Sequence, residues 1–433
     1  MRTDKIRILR KSKINAEIKV TPDKSITHRA VMLASISSGE CIIHNPLKSK
    51  DCYSTVNALK SLGVKIVEDK NNFHIYGVNM EGLCSPKEVI DAGNSGTTVR
   101  LLCGIIAGNE IEVKIIGDDS LSRRPMKRII EPLRLMGVTI DAKEDNYLPL
   151  VIRGTKNLKS ITWENKIASA QVKSCVLFAG MYAEGVTIYK EPILSRDHTE
   201  RMLQYLGVKL SIKDTVFSIR GKVKKIKPFE ILVPADPSSA SYFIAMAVLL
   251  PNSSLVIKDV CVNPTRMGFI NVLLKMGAKI TLSNLRILYN EPVADIVVKS
   301  SKLKSIKIEP DDVPAMIDEL PLLAVVATQA DGVTEIRGAG ELRIKESDRI
   351  KTIVSSLQHL GAKIIELEDG MIIMGNTTLC ADSDNLELDS YNDHRIAMSL
   401  AVAGSICHNS FVITNAGCVD VSFPGFWDLY KSL

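Results

Sequence analysis

The sequence repeats itself at an interval of about seventy residues, and the repeat limits the fold more than any other feature. Five segments share one form: ALKSLGVKI (58–66), PLRLMGVTI (132–140), MLQYLGVKL (202–210), LLKMGAKIT (273–281) and SLQHLGAKI (356–364). Each reads as an amphipathic helix that stops at a glycine and continues into a β-branched strand. The glycines are Gly63, Gly137, Gly207, Gly277 and Gly361, spaced by 74, 70, 70 and 84 residues. Glycine at this place takes the left-handed conformation that ends a helix and turns the chain. The strand after it is expected to pair with another across a polar turn, as in VKIVEDKNNFHIYG and AKIIELEDGMIIMG. The closing FPGFWDLYKSL (423–433) reads as a sixth helix of the set.

A second element recurs ahead of each amphipathic helix. It is a short apolar helix opened by polar residues: DKSITHRAVMLAS from Asp23, GNSGTTVRLLCGIIAG from Gly93, ASAQVKSCVLFAG from Ala168, DPSSASYFIAMAVLL from Asp236, DELPLLAVVAT from Asp318 and NDHRIAMSLAVAG from Asn392. Helices apolar on all sides belong inside a domain. Six units in 433 residues are about 72 each, so the expectation is two α/β domains of three units, with buried helices at each centre. The stretch KVKKIKPFEIL (222–232) separates the third unit from the fourth.

Composition narrows the function by exclusion. With 45% hydrophobic and 24% charged residues the chain is an ordinary globular protein, and its 55 Lys+Arg against 49 Asp+Glu give +6. That excess is too small and too evenly spread for a nucleic-acid partner, though it suits small anions. The opening MRTDKIRILRKSK has no apolar run, so no signal peptide is expected. The longest apolar stretches, such as FIAMAVLL, are too short to cross a membrane. Nine cysteines form no CxxC and no metal spacing, which reads as reduced thiols in a cytoplasmic protein with no structural metal.

The candidate chemistry lies at the mouths of the buried helices. Helix N-termini present unpaired N–H groups and partial positive charge, and so attract anions. Asp, Asn and Ser there are explained by capping alone, with Asn392 and Asp393 as the expected caps of the last helix. Capping does not explain the cations in the same turns, Lys24, Arg29, Arg100 and Arg395. More cations fall in loops ahead of the amphipathic helices: Arg123, Arg124, Lys127 and Arg128 in DDSLSRRPMKR, Arg196 in SRDHTER, and Arg343, Lys345 and Arg349 in RIKESDR. Arginine suits planar, bidentate recognition of phosphate and carboxylate, so the pattern fits substrates with several negative charges. In DAGNSGTTVR two glycines admit close approach of a ligand to the backbone, with Asn94 and Ser95 among the donors. Asp318, Glu346 and Lys24 are the acid/base candidates. The plainer alternative makes Asp318 a helix cap and Glu346 an ion-pair partner of Arg349.

Seven of these motifs, DKSITHRA, GNSGTTVR, RRPM, SAQVKS, SRDHTERML, RIKESDR and NDHRIAMS, resemble in order and spacing the signatures of the 5-enolpyruvylshikimate-3-phosphate synthase family, of the class II kind. The resemblance implies a two-domain inside-out α/β barrel, with three βαβαββ units per domain around buried parallel helices. It implies a first domain of 21–225 and a second of 1–20 with 226–433, the N-terminal strand crossing back, and an active site in the cleft between them. The implied activity is that of a 3-phosphoshikimate 1-carboxyvinyltransferase: transfer of the enolpyruvyl group of phosphoenolpyruvate to the 5-hydroxyl of shikimate 3-phosphate by addition and elimination. The implied phosphoenolpyruvate ligands are Lys24, Gly96, Arg124, Gln171, Lys345, Arg349 and Arg395. Those for shikimate 3-phosphate are Lys24, Ser25, Arg29, Ser169, Ala170, Gln171, Arg196, Asp318 and Lys345, with Asn94 and His394 in support. Asp318 would handle the 5-hydroxyl proton, and Glu346 and Lys24 the methylene proton. No cofactor, metal, membrane or nucleic acid is implied, and the protein is expected to act as a cytoplasmic monomer. Ala170 stands where many relatives have Ser, and Arg196 where the other subclass has Ser. Gly96 keeps the small residue that leaves room for glyphosate in sensitive relatives.

Three other readings are weaker. The sister enzyme that acts on UDP-N-acetylglucosamine usually carries a cysteine in the loop that here reads GDDSLSRRP (117–125). A non-catalytic anion-binding protein would have no need of Asp318, Glu346 and Lys24. An RNA 3′-phosphate cyclase should show a nucleophilic histidine near the C-terminus.

Overall fold

The computed structural model describes residues 4–433. The second repeat shows the unit in full. It runs strand Ile90–Asp91, helix Gly96–Ile106, strand Glu112–Ile116, helix Lys127–Leu135, then the hairpin Thr139–Lys143 and Tyr147–Arg153. Its sheet places the first strand parallel to the second, and the fourth between the second and the third. The third repeat (162–220) and the fifth (307–374) have the same order and sheet topology. This is the βαβαββ unit implied above. All five repeat glycines are left-handed, at φ +93, +101, +79, +100 and +81° for Gly63, Gly137, Gly207, Gly277 and Gly361.

The remaining repeats borrow strands from distant parts of the chain. Asn15–Ile18 lies parallel to Ser254–Cys261 and opens the fourth repeat. Lys5–Ile8 lies antiparallel to Phe411–Thr414 and fills the last-strand place of the sixth, whose sheet has three strands. Glu230–Leu232 lies parallel to Ile42–His44 and opens the first.

Two compact units result. The C-terminal unit comprises residues up to Thr21, Pro234–Arg286 and Pro292–Leu433, and the N-terminal unit comprises Pro22–Val233 with Ile287–Glu291. The expected crossover at 225/226 therefore moves to Val233/Pro234. Residues 226–233 stay with the N-terminal unit because Glu230–Leu232 belongs to the sheet of the first repeat.

Three buried helices centre each unit. In the N-terminal unit these are Lys24–Ser35, Gly96–Ile106 and Ala170–Gly180. The last two pack backbone to backbone, since a Cβ on Gly104 would lie 2.3 Å from the Cys175 carbonyl oxygen. In the C-terminal unit Pro237–Leu249, Leu320–Ala327 and His394–Ile406 form the middle of one continuous apolar core.

Five of the six helices open on a side-chain cap. Asp23 accepts from the Ile26 amide, Ser95 from Thr98, Ser169 from Val172, Asp236 from Ser238 and Asp393 from Arg395. The sixth, Leu320–Ala327, starts from a 3-10 turn over Ile317–Glu319 and has no side-chain cap. Asp318 is thus not an N-cap. Asn392 is not one either: it is an exposed turn residue at φ +55°, a conformation that asparagine tolerates well.

Candidate active site

The site candidates collect at the mouths of the buried helices, in one polar cluster per unit. In the N-terminal unit Lys24 opens its helix, and its Nζ lies 3.0 Å from Asp51 Oδ2. One turn on, Arg29 is 2% exposed and held on three sides. It donates to Thr199 Oγ1 at 2.6 Å, Ser174 Oγ at 2.8 Å and the Ser25 carbonyl at 3.0 Å. Ser169 and Ala170, half-buried, are the cap and the first residue of the third helix. Arg196 lies half-buried in the loop before the helix His198–Tyr205.

The glycine-rich turn carries the other half of this cluster. Arg124 donates to Asn94 Oδ1 at 2.7 Å, and Asn94 Nδ2 to Asp118 at 2.8 Å. Arg100 donates to Gln171 Oε1 at 2.7 Å and to the Pro125 carbonyl at 3.1 Å, while Gln171 Nε2 donates to Thr97 at 3.0 Å. Gly96 lies under this bridge: a Cβ there would come within 2.7 Å of Arg100 Nη1. Not every loop cation joins in, since Arg123 and Lys127 are exposed.

His28 sits behind this surface, fully buried. Its Nδ1 is 2.7 Å from Thr55 Oγ1, and Thr55 bonds Thr98, which bonds the Ser95 cap. Burial, then the charges of Lys24 and Arg29, push the His28 imidazole well below its ordinary 6.5. It is a neutral spacer between two helix mouths.

In the C-terminal unit the cluster is built on Arg349, whose side chain is 1% exposed. Its guanidinium donates to Asp393 Oδ2 at 2.8 Å, to Glu346 Oε2 at 2.5 Å and to Asp318 Oδ1 at 3.3 Å. Arg395 approaches Asp318 from another side at 3.8 Å and the Tyr242 hydroxyl at 3.5 Å. Burial holds the Tyr242 phenol up at about 12, so it is a neutral group beside that cation. Lys345 lies next to Glu346. Burial lowers its ammonium from the ordinary 10.5, Asp318 opposes the shift, and Arg349 adds to it. His394 is buried in the first turn of its helix.

Three cations (Lys345, Arg349, Arg395) thus share one region with three carboxylates (Asp318, Glu346, Asp393). Both carboxylate acid/base candidates touch the same guanidinium. Glu346 is an ion-pair partner of Arg349, as the plainer alternative had it, and Asp318 is one as well.

Some residues here escaped the motif reading. Asp51 orients Lys24, Thr199 and Ser174 orient Arg29, and Asp393 fastens Arg349. Asp393 was legible as a cap, but its second task depends on a helix 44 positions earlier in the chain. Arg343, expected beside Lys345 and Arg349, turns away. It pairs with Asp348 and Glu366 and donates to the carbonyls of Leu367 and Glu368, holding a hairpin.

Comparison with known proteins agrees with this architecture. Residues 8–429 match the family model described as EPSP synthase (3-phosphoshikimate 1-carboxyvinyltransferase). A 3-phosphoshikimate 1-carboxyvinyltransferase of Endomicrobium trichonymphae is 48% identical over 431 residues, covering 99% of each chain. One from Thermodesulfovibrio yellowstonii is 49% identical with the same coverage. A solved EPSP synthase from Acinetobacter baumannii superposes with a TM-score of 0.87 at 40% identity, over 99% of this chain and 98% of that one. With six βαβαββ-type repeats, cation-lined helix mouths and relatives matched end to end, the chain belongs to the EPSP synthase family.

Proposed function

We propose that the chain moves the enolpyruvyl group of phosphoenolpyruvate to the 5-hydroxyl of shikimate 3-phosphate and releases phosphate. The observation that carries this reading is that Asp318 and Glu346, the two candidate proton carriers, contact one buried guanidinium, Arg349. Anionic substrates exchange for these contacts, since a guanidinium binds carboxylate and phosphate in the same bidentate way.

The chemistry then assigns roles. Lys24, Arg124, Gln171, Lys345, Arg349 and Arg395 hold phosphoenolpyruvate, with Gly96 leaving space for it. Ser25, Arg29, Ser169, Ala170, Gln171 and Arg196, with Lys24 and Lys345, hold shikimate 3-phosphate. Asn94 and His394 support them. Asp318 accepts the 5-hydroxyl proton as that oxygen bonds to C2 of phosphoenolpyruvate, and Glu346 or Lys24 delivers a proton to C3, giving a tetrahedral intermediate with a methyl group. The C2–O bond to phosphate then breaks, C3 gives a proton back, and phosphate leaves with the proton that came from the hydroxyl. Held donors around a developing charge act without reorganising, the main advantage of such sites.

No helix among the described residues is long and apolar enough to cross a membrane. No disulfide joins the nine cysteines, all of which are among the described residues, which fits a reducing compartment; we read the protein as a cytoplasmic monomer that needs no cofactor. The test is phosphate release from phosphoenolpyruvate with shikimate 3-phosphate or UDP-N-acetylglucosamine as acceptor. Release with shikimate 3-phosphate alone is expected. Release with the nucleotide sugar would transfer the chain to the sister activity, and release with neither would leave an anion-binding scaffold.

A further inference from the structure

One charged group in the N-terminal unit has no direct part in the proposed reaction. Lys173, in the second turn of the helix Ala170–Gly180, has a side chain that is 0% exposed. Its ammonium lies 2.7 Å from Glu191 Oε1 and 2.8 Å from Glu200 Oε1, with both carboxylates also buried. It donates to the Ser195 carbonyl at 3.2 Å and sits 4.3 Å from the centre of the Phe217 ring. Two hydrogen bonds, to Glu191 and the Ser195 carbonyl, and an ion pair with Glu200 therefore hold the ammonium. Burying such a triad brings little net stability, because desolvation offsets the attraction, and apolar residues of similar volume often do as well. Packing alone does not call for it.

The triad's geometry shows what it controls. Glu191 accepts from the Ser195 amide at 2.9 Å and from the Ser195 hydroxyl at 2.6 Å. With Lys173 on its carbonyl, Ser195 is held at every polar atom it has. The next residue is Arg196. On the far side of the triad, Glu200 belongs to the helix His198–Tyr205, whose Thr199 receives Arg29 at 2.6 Å. Ser174, the residue after Lys173, receives Arg29 at 2.8 Å and lies 2.6 Å from Thr199. Both arginines assigned above to the acceptor's phosphate are thus set in register by one buried ammonium.

The geometry points to Lys173 as a positioning residue that fixes the spacing of Arg29 and Arg196, and through it the protein's preference for a phosphorylated acceptor. This rests on the proposed function, which places the phosphate of shikimate 3-phosphate at those arginines. Taking one charge-assisted hydrogen bond away from a phosphate lowers affinity by about tenfold, so Lys173→Met is expected to raise KM for shikimate 3-phosphate by about that factor. KM for phosphoenolpyruvate should hold, and so should KM for unphosphorylated shikimate offered as the acceptor. A merely structural defect would lower kcat with both acceptors and leave their KM ratio unchanged.

Removing the ammonium leaves two buried carboxylates, so Ser195→Ala supplies a milder second variant. It takes one bond from the clamp and no charge, and should shift the same ratio in the same direction by about threefold. Selective shifts in both variants, or in Ser195→Ala alone if Lys173→Met does not fold, support the assignment. An unchanged KM ratio in Ser195→Ala together with folded Lys173→Met overturns it. Arg196→Ala, measured in parallel, separates the two levels. A large selective loss there beside unchanged clamp variants refutes only the role of Lys173, whereas no loss in Arg196→Ala refutes the phosphate site and the inference with it.

Discussion

Asp318→Asn separates proton transfer from binding. The carboxylate is held by Arg349 at 3.3 Å and by Arg395 at 3.8 Å, both longer than the 2.5 and 2.8 Å that Arg349 makes with Glu346 and Asp393. An asparagine keeps the shape and an accepting oxygen, and Arg349 keeps its two shorter partners. The structural cost should therefore stay below about 1.5 kcal/mol, the worth of one ordinary hydrogen bond. Both substrates are anions, so removing a negative charge leaves their binding equal or tighter. What asparagine cannot do is take the 5-hydroxyl proton. A positioned general base contributes about 10²- to 10⁴-fold, which is about 3–5 kcal/mol of barrier. The assay is phosphate release at saturating substrates, paired with calorimetric titration of shikimate 3-phosphate. Turnover within about tenfold of the parent, about 1.4 kcal/mol, would refute Asp318 as the base and leave it a partner of the two arginines.

Three further outcomes follow from the same geometry. Lys345 holds anions only while protonated, and burial lowers it below 10.5; KM for phosphoenolpyruvate should climb with rising pH before an ordinary lysine would titrate, and Lys345→Arg should remove that climb. His28 stays neutral when folded but takes a proton near 6.5 when unfolded. The unfolded chain thus binds more protons below 6.5, and stability falls with acid by up to about 1.4 kcal/mol per pH unit from this group. Urea unfolding at pH 6.5 and 5.5 should show a smaller drop for His28→Gln. Among the glycines, Gly207→Ala has no atom within 4 Å of the new Cβ and should cost about 1 kcal/mol for its left-handed φ of +79°. Gly104→Ala meets the Cys175 carbonyl and should cost more, about 1–3 kcal/mol; equal melting temperatures would refute the close helix contact.

The fold was legible where information is local. Gly63, Gly137, Gly207, Gly277 and Gly361 mark helix ends because a left-handed residue after an amphipathic stretch permits little else. The buried helices showed in their unbroken apolar runs. The crossover was misplaced because Glu230–Leu232 finds its partner at Ile42–His44, and pairing across such a distance leaves no trace in the strand itself. The site was legible as a set of cations but not as a set of contacts. In RIKESDR nothing distinguishes Arg343 from Arg349. Only the fold sends one to a hairpin on the surface and the other under Asp318, Glu346 and Asp393. Asp318 likewise resembled a cap until the 3-10 turn ahead of Leu320 set it apart from the first helical turn.

The most direct test of addition followed by elimination is the reaction run in D2O, with the methylene group of product and recovered phosphoenolpyruvate read by mass spectrometry. A transient methyl group, made and unmade by Glu346 or Lys24, places deuterium in that methylene only when shikimate 3-phosphate is present. The label should fade in step with turnover in Glu346→Gln. Phosphate release with an unlabelled methylene would mean that no proton reaches C3, and would contradict the account of these two clusters.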